Sequence, residues 1–349
     1  MNIVSIKAYS ESLALKKPYT IARETISGAE IIFFKIELSN GICGIGAAST
    51  DPDVVGETPV QTLLNLKSDS VQQLVGKDIR TFLHLIEFYR NAFPNMPGTQ
   101  AALDIALHDA FGKWIGLPII DFYGRYHHKM LTSVTIGIKN VEETIKEAKE
   151  YKEQGFKVLK VKTGLNAEED AERVIKLYAS FGSYFKIRVD ANEGYSKADL
   201  QYFLNHTSGT ELELIEQPFH PDKDSSLLEL EKETRRLLAA DESLKDARSA
   251  LKIAQDKTYG IFNIKLMKCG GITGAFEIAN IAKQANINLF WGCNDESSIS
   301  ITAALHAAFA CPHTKYLDLD GSLDLIENRE EKGFILQDGY LSINSKPGL

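Results

Sequence analysis

The strongest constraint on the fold is a series of eight short segments, rich in β-branched residues, between positions 133 and 320. Helix-length amphipathic segments separate them, for example VEETIKEAKEYKEQG (141–155) and KDSSLLELEKETRR (223–236). This alternation is typical of βα units around a parallel sheet. The eight segments are SVTIGI (133–138), FKVLKVK (156–162), FKIRVD (185–190), LELIE (212–216), LLAAD (237–241), IFNIK (261–265), INLFWGC (287–293) and KYLDLD (315–320).

Eight evenly spaced strands without a nucleotide-binding glycine fingerprint favour a closed barrel over an open doubly wound sheet. The sequence therefore predicts an α/β fold, a TIM-like (β/α)7β barrel over residues 125–320. The sequence of residues 1–124 predicts an α+β capping domain. In this domain Asn40-Gly41 supplies the turn of a hairpin, and the hairpin is followed by a helix with a tightly packed face. Residues 321–349 contain a further hairpin, GFILQDGYLSI, which we expect to return to the capping domain.

Charge and composition exclude several classes of function. The formal net charge of -8 opposes binding to nucleic acid phosphates. The N-terminus lacks the pattern of a secretory signal, and no segment approaches the about 18 uninterrupted apolar residues of a membrane span. The four cysteines are far apart and lack zinc-ligand spacing, so we expect reduced core residues and a cytoplasmic protein without nucleic acid or membrane partners.

Ionisable residues follow seven consecutive strands, at the end of the barrel where catalytic groups are found. Each separation along the chain corresponds to about one βα unit. Because parallel strands end at one rim, these side chains should meet there. The strand-end residues are Lys160 and Lys162, Asp190, Glu216, Asp241, Lys265, Glu296, and Asp318 with Asp320.

Three of these residues, Asp190, Glu216 and Asp241, are carboxylates from adjacent strands. Such a cluster repels itself unless a cation neutralises it. Carboxylate oxygens suit Mg²⁺, which leaves coordination positions for water and a substrate oxygen. A bound divalent metal ion is therefore expected at this rim. A wholly structural role for all of the strand-end charges is disfavoured, because a surface of uncompensated carboxylates costs stability.

Lysines flank the carboxylates, with Lys160 and Lys162 on one side and Lys265 on the other. A lysine acts as a base only when it is neutral, and positive charge from Lys160 and the metal would lower the pKa of Lys162. Removal of a proton next to a carboxylate creates an enediolate, whose extra charge Mg²⁺ can stabilise. If one lysine removes the proton and the other returns it, the carbon is inverted. A simpler role for Lys160, pairing with Glu216 or Asp190, stays open.

These motifs resemble the enolase superfamily, in its muconate-lactonising subgroup, and within it the dipeptide epimerases such as the L-Ala-D/L-Glu enzymes. The resemblance spans essentially the whole chain. It is carried by AALDIALHDAFGKWIGLPIIDFYG before the barrel and by the strand-end motifs KVK, DAN, EQP, DES and NIKLMKCGG. A Lys base combined with Mg²⁺ is a general property of enolase-superfamily sites.

The resemblance implies a role for each matching residue. Asp190, Glu216 and Asp241 would bind Mg²⁺, and Lys162 and Lys265 would form the opposed acid/base pair, with Lys160 tuning its neighbour. The Asp-x-Asp motif at the eighth strand would hold the α-ammonium group of a dipeptide, as two carboxylates two residues apart on a strand can do. The residues of that motif are Asp318 and Asp320.

Substrate selection is assigned to the cap and the seventh strand. Glu296, in CNDESS, lies at the subgroup's usual seventh-strand acidic position, while Tyr19 and Arg23 lie in a loop that should close over the substrate side chain. A second loop, STDPDVVGET, should also face the site. Arg23 could pair with an acidic substrate or with the cap itself. The sequence leaves acidic and apolar second residues of the dipeptide equally open.

Smaller expectations concern residues near the motifs. Asn192 should support Asp190 or cap a helix, and Lys268 should face solvent. Two other functions stay open. One is an o-succinylbenzoate synthase or cycloisomerase of the same subgroup, which has no substrate ammonium to bind. The other is a non-catalytic, metal-stabilised binding barrel. The oligomeric state is also left open, although related barrels are commonly oligomeric.

Overall fold

The computed structural model describes residues 1–20, 25–327 and 332–349. The chain begins with a three-stranded antiparallel sheet in which the strands follow chain order. Gly41, with φ of 82°, provides the left-handed conformation that the turn between the second and third strands requires, as predicted. The strands are β1 (Ile3–Thr20), β2 (Thr25–Leu38) and β3 (Cys43–Ser49).

Helices cover one face of this sheet. The longest is buried along most of its length, because alanines on its surface allow close approach to the sheet. At Gly46 a Cβ atom would lie only 2.1 Å from the carbonyl oxygen of Ala102, so this contact requires glycine. A 3₁₀ turn spans Ile79–Thr81. The helices are α1 (Pro52–Val55), α2 (Pro59–Leu66), α3 (Asp69–Gln72), α4 (Phe82–Ala92), α5 (Pro97–Ile115) and α6 (Ile119–Tyr123).

Eight parallel strands, β5 to β12, form one curled sheet in chain order, as the alternating pattern predicted. The backbone N–H of Ser133 donates to the carbonyl of Leu317 at 3.1 Å, which joins the eighth strand to the start of the first. The strands of this part are β4 (Lys129–Leu131), β5 (Val134–Ile136), β6 (Val158–Lys162), β7 (Lys186–Asp190), β8 (Leu212–Glu216), β9 (Leu238–Ala240), β10 (Ile261–Ile264), β11 (Asn288–Trp291) and β12 (Thr314–Leu317).

Helical segments connect the strands, but the predicted helix over 223–236 is wrong as a single element. A 3₁₀ segment, Pro221–Glu229, precedes a short helix there. Aspartate and serine early in this segment compete with the backbone for hydrogen bonds and so weaken an α-helix. The helices are α7 (Val141–Glu153), α8 (Ala167–Phe181), α9 (Lys197–His206), α10 (Lys232–Leu237), α11 (Ala247–Asp256), α12 (Leu266–Cys269), α13 (Ile272–Ala285) and α14 (Ser298–Phe309).

The C-terminal hairpin is present as β13 (Phe334–Gln337) and β14 (Tyr340–Ile343). The strand partner of this hairpin is β4, because β14 pairs with β4 and not with the N-terminal sheet. The segments on either side of the hairpin do reach the N-terminal unit. Ile326 N–H donates to the Ala14 carbonyl at 2.9 Å, and Ile119 N–H donates to the Gly348 carbonyl at 3.1 Å. The domain limits at 124 and 320 stay predictions. None of the helices in the described ranges has the length and apolar character needed to span a lipid bilayer.

Candidate active site

The three predicted metal ligands meet at the carboxyl ends of neighbouring strands. Asp190 ends β7 and pairs in register with Glu216 at the end of β8, while Asp241 directly follows β9. All three side chains are buried. Asp190 Oδ2 and Glu216 Oε2 each lie 2.9 Å from Lys160 Nζ, so these two carboxylates are within two hydrogen-bond lengths of each other. The strand ends therefore bring the trio together as expected.

Lys162 and Lys265 lie on opposite sides of the trio, because β6 and β10 flank β7, β8 and β9 in the sheet. Lys162 Nζ is 2.8 Å from Asp190 Oδ2 and donates to Asn192 Oδ1 at 2.9 Å. The backbone N–H of Asn192 donates to Asp190 Oδ1 at 3.0 Å, so Asn192 supports Asp190 as predicted. On the other side, Lys265 Nζ lies 2.8 Å from Asp241 Oδ2. The geometry places one ammonium group at each end of the row of carboxylates.

Lys160 contacts three carboxylates at once, since its Nζ lies 2.8 to 2.9 Å from oxygens of Asp190, Glu216 and Asp318. Burial alone would lower the pKa of Lys160, but Asp190 and Asp318 hold it well above its ordinary value. Lys160 therefore remains a cation at the centre of the site. Lys160 therefore pairs with Asp190 and Glu216, and this pairing is compatible with an electrostatic effect of Lys160 on its neighbour Lys162.

In this structure the Lys160 and Lys265 ammonium groups balance the carboxylates, and no three described acidic, histidine or cysteine side chains converge at metal-binding spacing. The donor set nevertheless fits Mg²⁺, because all six oxygens belong to buried carboxylates on adjacent strands. Glu216 Oε2 is buried without a well-oriented hydrogen bond. Burial, followed by the charge of Asp190, raises the pKa of Glu216 to about 8. These features indicate a site that favours an added cation.

Lys268 is buried, so the expectation that it faces solvent is wrong. Its ammonium group forms a short ion pair with Asp241 Oδ1 and donates to the Asp241 carbonyl. Lys265 and Lys268 thus bind different oxygens of one carboxylate, which fixes the orientation of Asp241. The sequence offered no periodic signal for this burial, because α12 begins after Lys265 and has only four residues.

The Asp-x-Asp motif lies just beyond β12 and faces a cavity above the barrel. Asp318 accepts hydrogen bonds from Lys160 Nζ at 2.8 Å and from Ser133 Oγ at 2.6 Å. Asp320 accepts one from Thr135 N–H at 2.8 Å. Burial, followed by the charge of Asp318, raises the pKa of Asp320 to about 7. The two carboxylates are therefore fixed side by side on the cavity wall.

Two adjoining cavities meet at the lysine pair. The first cavity contains Asp318 and Asp320 on its wall, and the second lies under the cap loop 49–54 and the start of β2. Lys162 and Lys265 line both cavities. A substrate atom between the two lysines would therefore have one substituent in each cavity.

Of the predicted selectivity residues, Tyr19 lines both cavities and its hydroxyl donates to Asp295 Oδ2 at 3.0 Å. Glu296 does not fulfil its prediction, because it is buried away from the cavities and accepts a hydrogen bond from Asn294 N–H. Its neighbour Asp295 lines both cavities instead. Adjacent residues in a loop point in different directions, and no periodicity in the sequence distinguishes them. Arg23 lies outside the described residues.

In this barrel, buried carboxylates lie between two opposed lysines. This arrangement defines a class of enzymes that transfer a proton to or from the carbon next to a carboxylate. Family comparison agrees with this classification. Residues 143–349 match the model described as enolase C-terminal domain-like, and residues 3–124 match the mandelate racemase / muconate lactonizing enzyme N-terminal domain. The chain belongs to the mandelate racemase / muconate lactonizing enzyme family of the enolase superfamily, as the strand-end motifs predicted.

Similar proteins indicate which subgroup of the family the chain resembles, namely the dipeptide epimerases. The chain is 49% identical to the L-Lys-D/L-Arg epimerase of Desulforapulum autotrophicum, with 100% of this chain and 99% of that protein covered. The crystal structure of the dipeptide epimerase from Methylococcus capsulatus, complexed with Mg and the dipeptide L-Arg-D-Lys, has a TM-score of 0.97 and 45% identity, covering 100% of this chain and 99% of that chain. The substrate-liganded L-Ala-D/L-Glu epimerase of Bacillus subtilis has a TM-score of 0.94 at 28% identity, covering 100% of this chain and 98% of that chain.

Proposed function

We propose that this protein is a Mg²⁺-dependent dipeptide epimerase that acts on dipeptides with cationic side chains. The observation that carries the proposal is the placement of Lys162 and Lys265 at opposite ends of the carboxylate row, both on the walls of two adjoining cavities. The similarity to dipeptide epimerases over the full chain supports the same reaction. Asp190, Glu216 and Asp241 are assigned to the metal.

The protein's own residues supply the proton transfer. The α-carbon of the second residue lies between Lys162 and Lys265, so one amine removes the α-proton and the other delivers a proton to the opposite face. Asp190, Glu216 and Asp241 would hold Mg²⁺, and its positive charge would offset the negative charge that develops at the substrate carboxylate as the α-proton leaves. Asp318 and Asp320 hold the substrate's α-ammonium group, which orients the α-carbon toward both lysines. The hydrogen bonds from Ser133 and Thr135 fix those carboxylates.

Acidic side chains outnumber basic ones on the wall of the second cavity, which supports a cationic substrate, whereas the first cavity has as many basic as acidic side chains on its wall. Asp295 lines both cavities, and burial raises its pKa to about 6. Further carboxylates line either the first or the second cavity. The sequence analysis considered only acidic and apolar second residues. It did not consider cationic side chains, because the carboxylates that line the cavities are far apart in the sequence and form no motif. These further residues are Glu147, Asp318, Asp320 and Asp324 in the first cavity, and Glu30, Asp51, Asp53 and Glu242 in the second.

The other functions considered from the sequence receive less support. An o-succinylbenzoate synthase or cycloisomerase needs no pair of carboxylates for an ammonium group, and Asp318, which is buried, and Asp320, which is partly buried, form such a pair on the cavity wall. A non-catalytic binding barrel needs no lysine on each side of the trio. We also keep the cytoplasm as the proposed location, supported by four cysteines that form no disulfide with any described residue. The oligomeric state stays open.

Incubation of the protein with L-Lys-L-Arg and Mg²⁺ in D₂O tests the proposal. Deuterium should appear at the α-carbon of the second residue, with both stereoisomers formed. Lys162→Ala and Lys265→Ala should each abolish epimerisation and stop exchange from one stereochemical face only, so each variant should exchange a different diastereomer. Lys283→Ala, on the exposed face of α13, is the matched control and should behave like the wild type. Exchange of both diastereomers by either active-site variant would refute the two-base assignment.

A further inference from the structure

We propose that Asp324 selects a cationic side chain on the first residue of the dipeptide, an inference that rests on the proposed function. Asp324 lies four residues beyond Asp320, in the loop after β12, and lines the first cavity. Neither family matching nor the strand-end motifs point to it, because it follows no strand directly. The assignment comes from its position, its unused carboxylate and the way the backbone holds it.

The position follows from the orientation of the substrate. Asp318 and Asp320 line the first cavity but not the second, so the residue that carries the α-ammonium group lies in the first cavity. Its side chain must therefore extend along the remaining wall of that cavity. Asp324 lies on this wall together with Lys17 and Lys139. The second residue instead places its side chain under the cap loop.

The cations near Asp324 are engaged elsewhere. Lys16 Nζ donates to the Leu323 carbonyl at 2.7 Å, and Lys17 Nζ lies 2.9 Å from Glu150 Oε2. Lys139 forms a short ion pair with Glu147. Within the ranges that the structure describes, no hydrogen bond or ion pair engages the Asp324 carboxylate itself.

The Asp324 carboxylate is also partly buried, so the lack of a hydrogen bond or ion pair with a described residue has an energetic cost. Burial raises the pKa of Asp324, although Lys16 and Lys17 oppose this effect. A half-buried carboxylate loses hydration without gaining a hydrogen bond, and a cationic ligand group would compensate for that loss. A lysine or arginine side chain of the substrate supplies such a group.

The backbone fixes the direction of Asp324. Lys16 N–H donates to the Asp324 carbonyl at 2.8 Å, and Ile326 N–H donates to the Ala14 carbonyl at 2.9 Å. Leu325, between them, is buried and bridges to Leu15 of β1. The loop is thus a short antiparallel attachment to the N-terminal sheet. A carboxylate on such an attachment can discriminate between side chains, because moving it away would break these bonds.

The test compares two dipeptides that differ in one charge, L-Lys-L-Arg and L-norleucyl-L-Arg, in wild type and in Asp324→Asn. For the wild type we expect the lysine dipeptide to have the higher kcat/KM. In Asp324→Asn, kcat/KM for L-Lys-L-Arg should fall roughly tenfold or more, as the loss of one partly buried ion pair implies, and kcat/KM for L-norleucyl-L-Arg should not fall. Asp324→Glu, which keeps the charge, should retain a preference for lysine. Asp222→Asn, whose side chain is 89% exposed, is the matched control.

The outcomes separate this assignment from the proposed function. An equal fall for both dipeptides in Asp324→Asn, or no change for either, would overturn the assignment while leaving the epimerase intact. A wild type that epimerises both dipeptides equally well would also overturn it. If the wild type epimerises neither dipeptide and exchanges no α-proton, the proposed function fails and the role of Asp324 fails with it.

Discussion

Glu57 offers a quantitative test of how the cap loop is held over the site. Its carboxylate is fully buried, directly after the loop 49–56 that lines the second cavity. Glu57 Oε2 accepts from the backbone N–H groups of Gly98 at 2.8 Å and Thr99 at 3.1 Å, in the first turn of α5. Glu57 Oε1 accepts from the hydroxyl groups of Thr62, at 2.8 Å, and Thr99. The side chain therefore ties the cap loop to the N-terminus of α5.

The structure gives different costs for two substitutions. Glu57→Ala leaves two buried amides without acceptors, at about 1–3 kcal/mol each, and removes buried methylene groups for roughly 1 kcal/mol more. We expect a loss of about 3–7 kcal/mol in the free energy of unfolding. Glu57→Gln can still accept from both amides, and its NH₂ group can donate to the two threonine hydroxyls. It should cost only about 1–2 kcal/mol, because the hydrogen bonds lose their charge.

Urea denaturation followed by circular dichroism measures these differences, with Glu87→Ala on the exposed side of α4 as the control, expected within about 0.5 kcal/mol of wild type. In the folded variants, KM for L-Lys-L-Arg should rise more than kcat falls, because the displaced loop lines a substrate cavity and holds no proton-transfer group. A Glu57→Ala variant as stable as Glu57→Gln would show that the amides find other acceptors, which contradicts the reasoning.

Two further predictions concern charge at the site. Burial raises the pKa of Asp295 to about 6 and that of Asp320 to about 7, so kcat/KM for L-Lys-L-Arg should fall as the pH drops through 7 and fall further through 6, as each carboxylate becomes neutral. Asp295→Asn should lack the step near 6 and keep the step near 7. Lys268→Met removes one of two cations from buried Asp241 and should destabilise the Mg²⁺-free protein by about 3 kcal/mol. Added Mg²⁺ should then raise the melting temperature of this variant more than that of wild type, and an equal rise would contradict the assignment.

The rim of the barrel could be predicted from the sequence because its geometry is set by topology. Parallel strands joined by single βα units must end at one edge, so the residue after each strand has a predictable place. This is why Asp190, Glu216 and Asp241 meet, and why Lys162 and Lys265 flank them. The limits of the eight strand segments were predicted to within a few residues.

Features that depend on loops could not be predicted in the same way. In the loop after β11 nothing in the sequence distinguishes Asp295, which lines the cavities, from Glu296, which is buried. The burial of Lys268 depends on a four-residue helix that has too little length to show a periodic pattern. Glu57 interacts across 41 residues with Gly98, and such a contact requires the tertiary fold.

The charges of the site divide into two groups with different partners. Lys160, Lys162 and Lys265 each contact a carboxylate of the trio, so the groups assigned to proton transfer balance one another inside the barrel. On the wall of the first cavity, Asp320 and Asp324 form no ion pair with any described residue. A dipeptide with a neutral first side chain brings an α-ammonium group to Asp320 but desolvates Asp324 without compensation, whereas a cationic side chain replaces the hydration that Asp324 loses. Selectivity for a cationic first side chain therefore arises as much from this penalty on neutral side chains as from attraction, and it should weaken in Asp324→Asn.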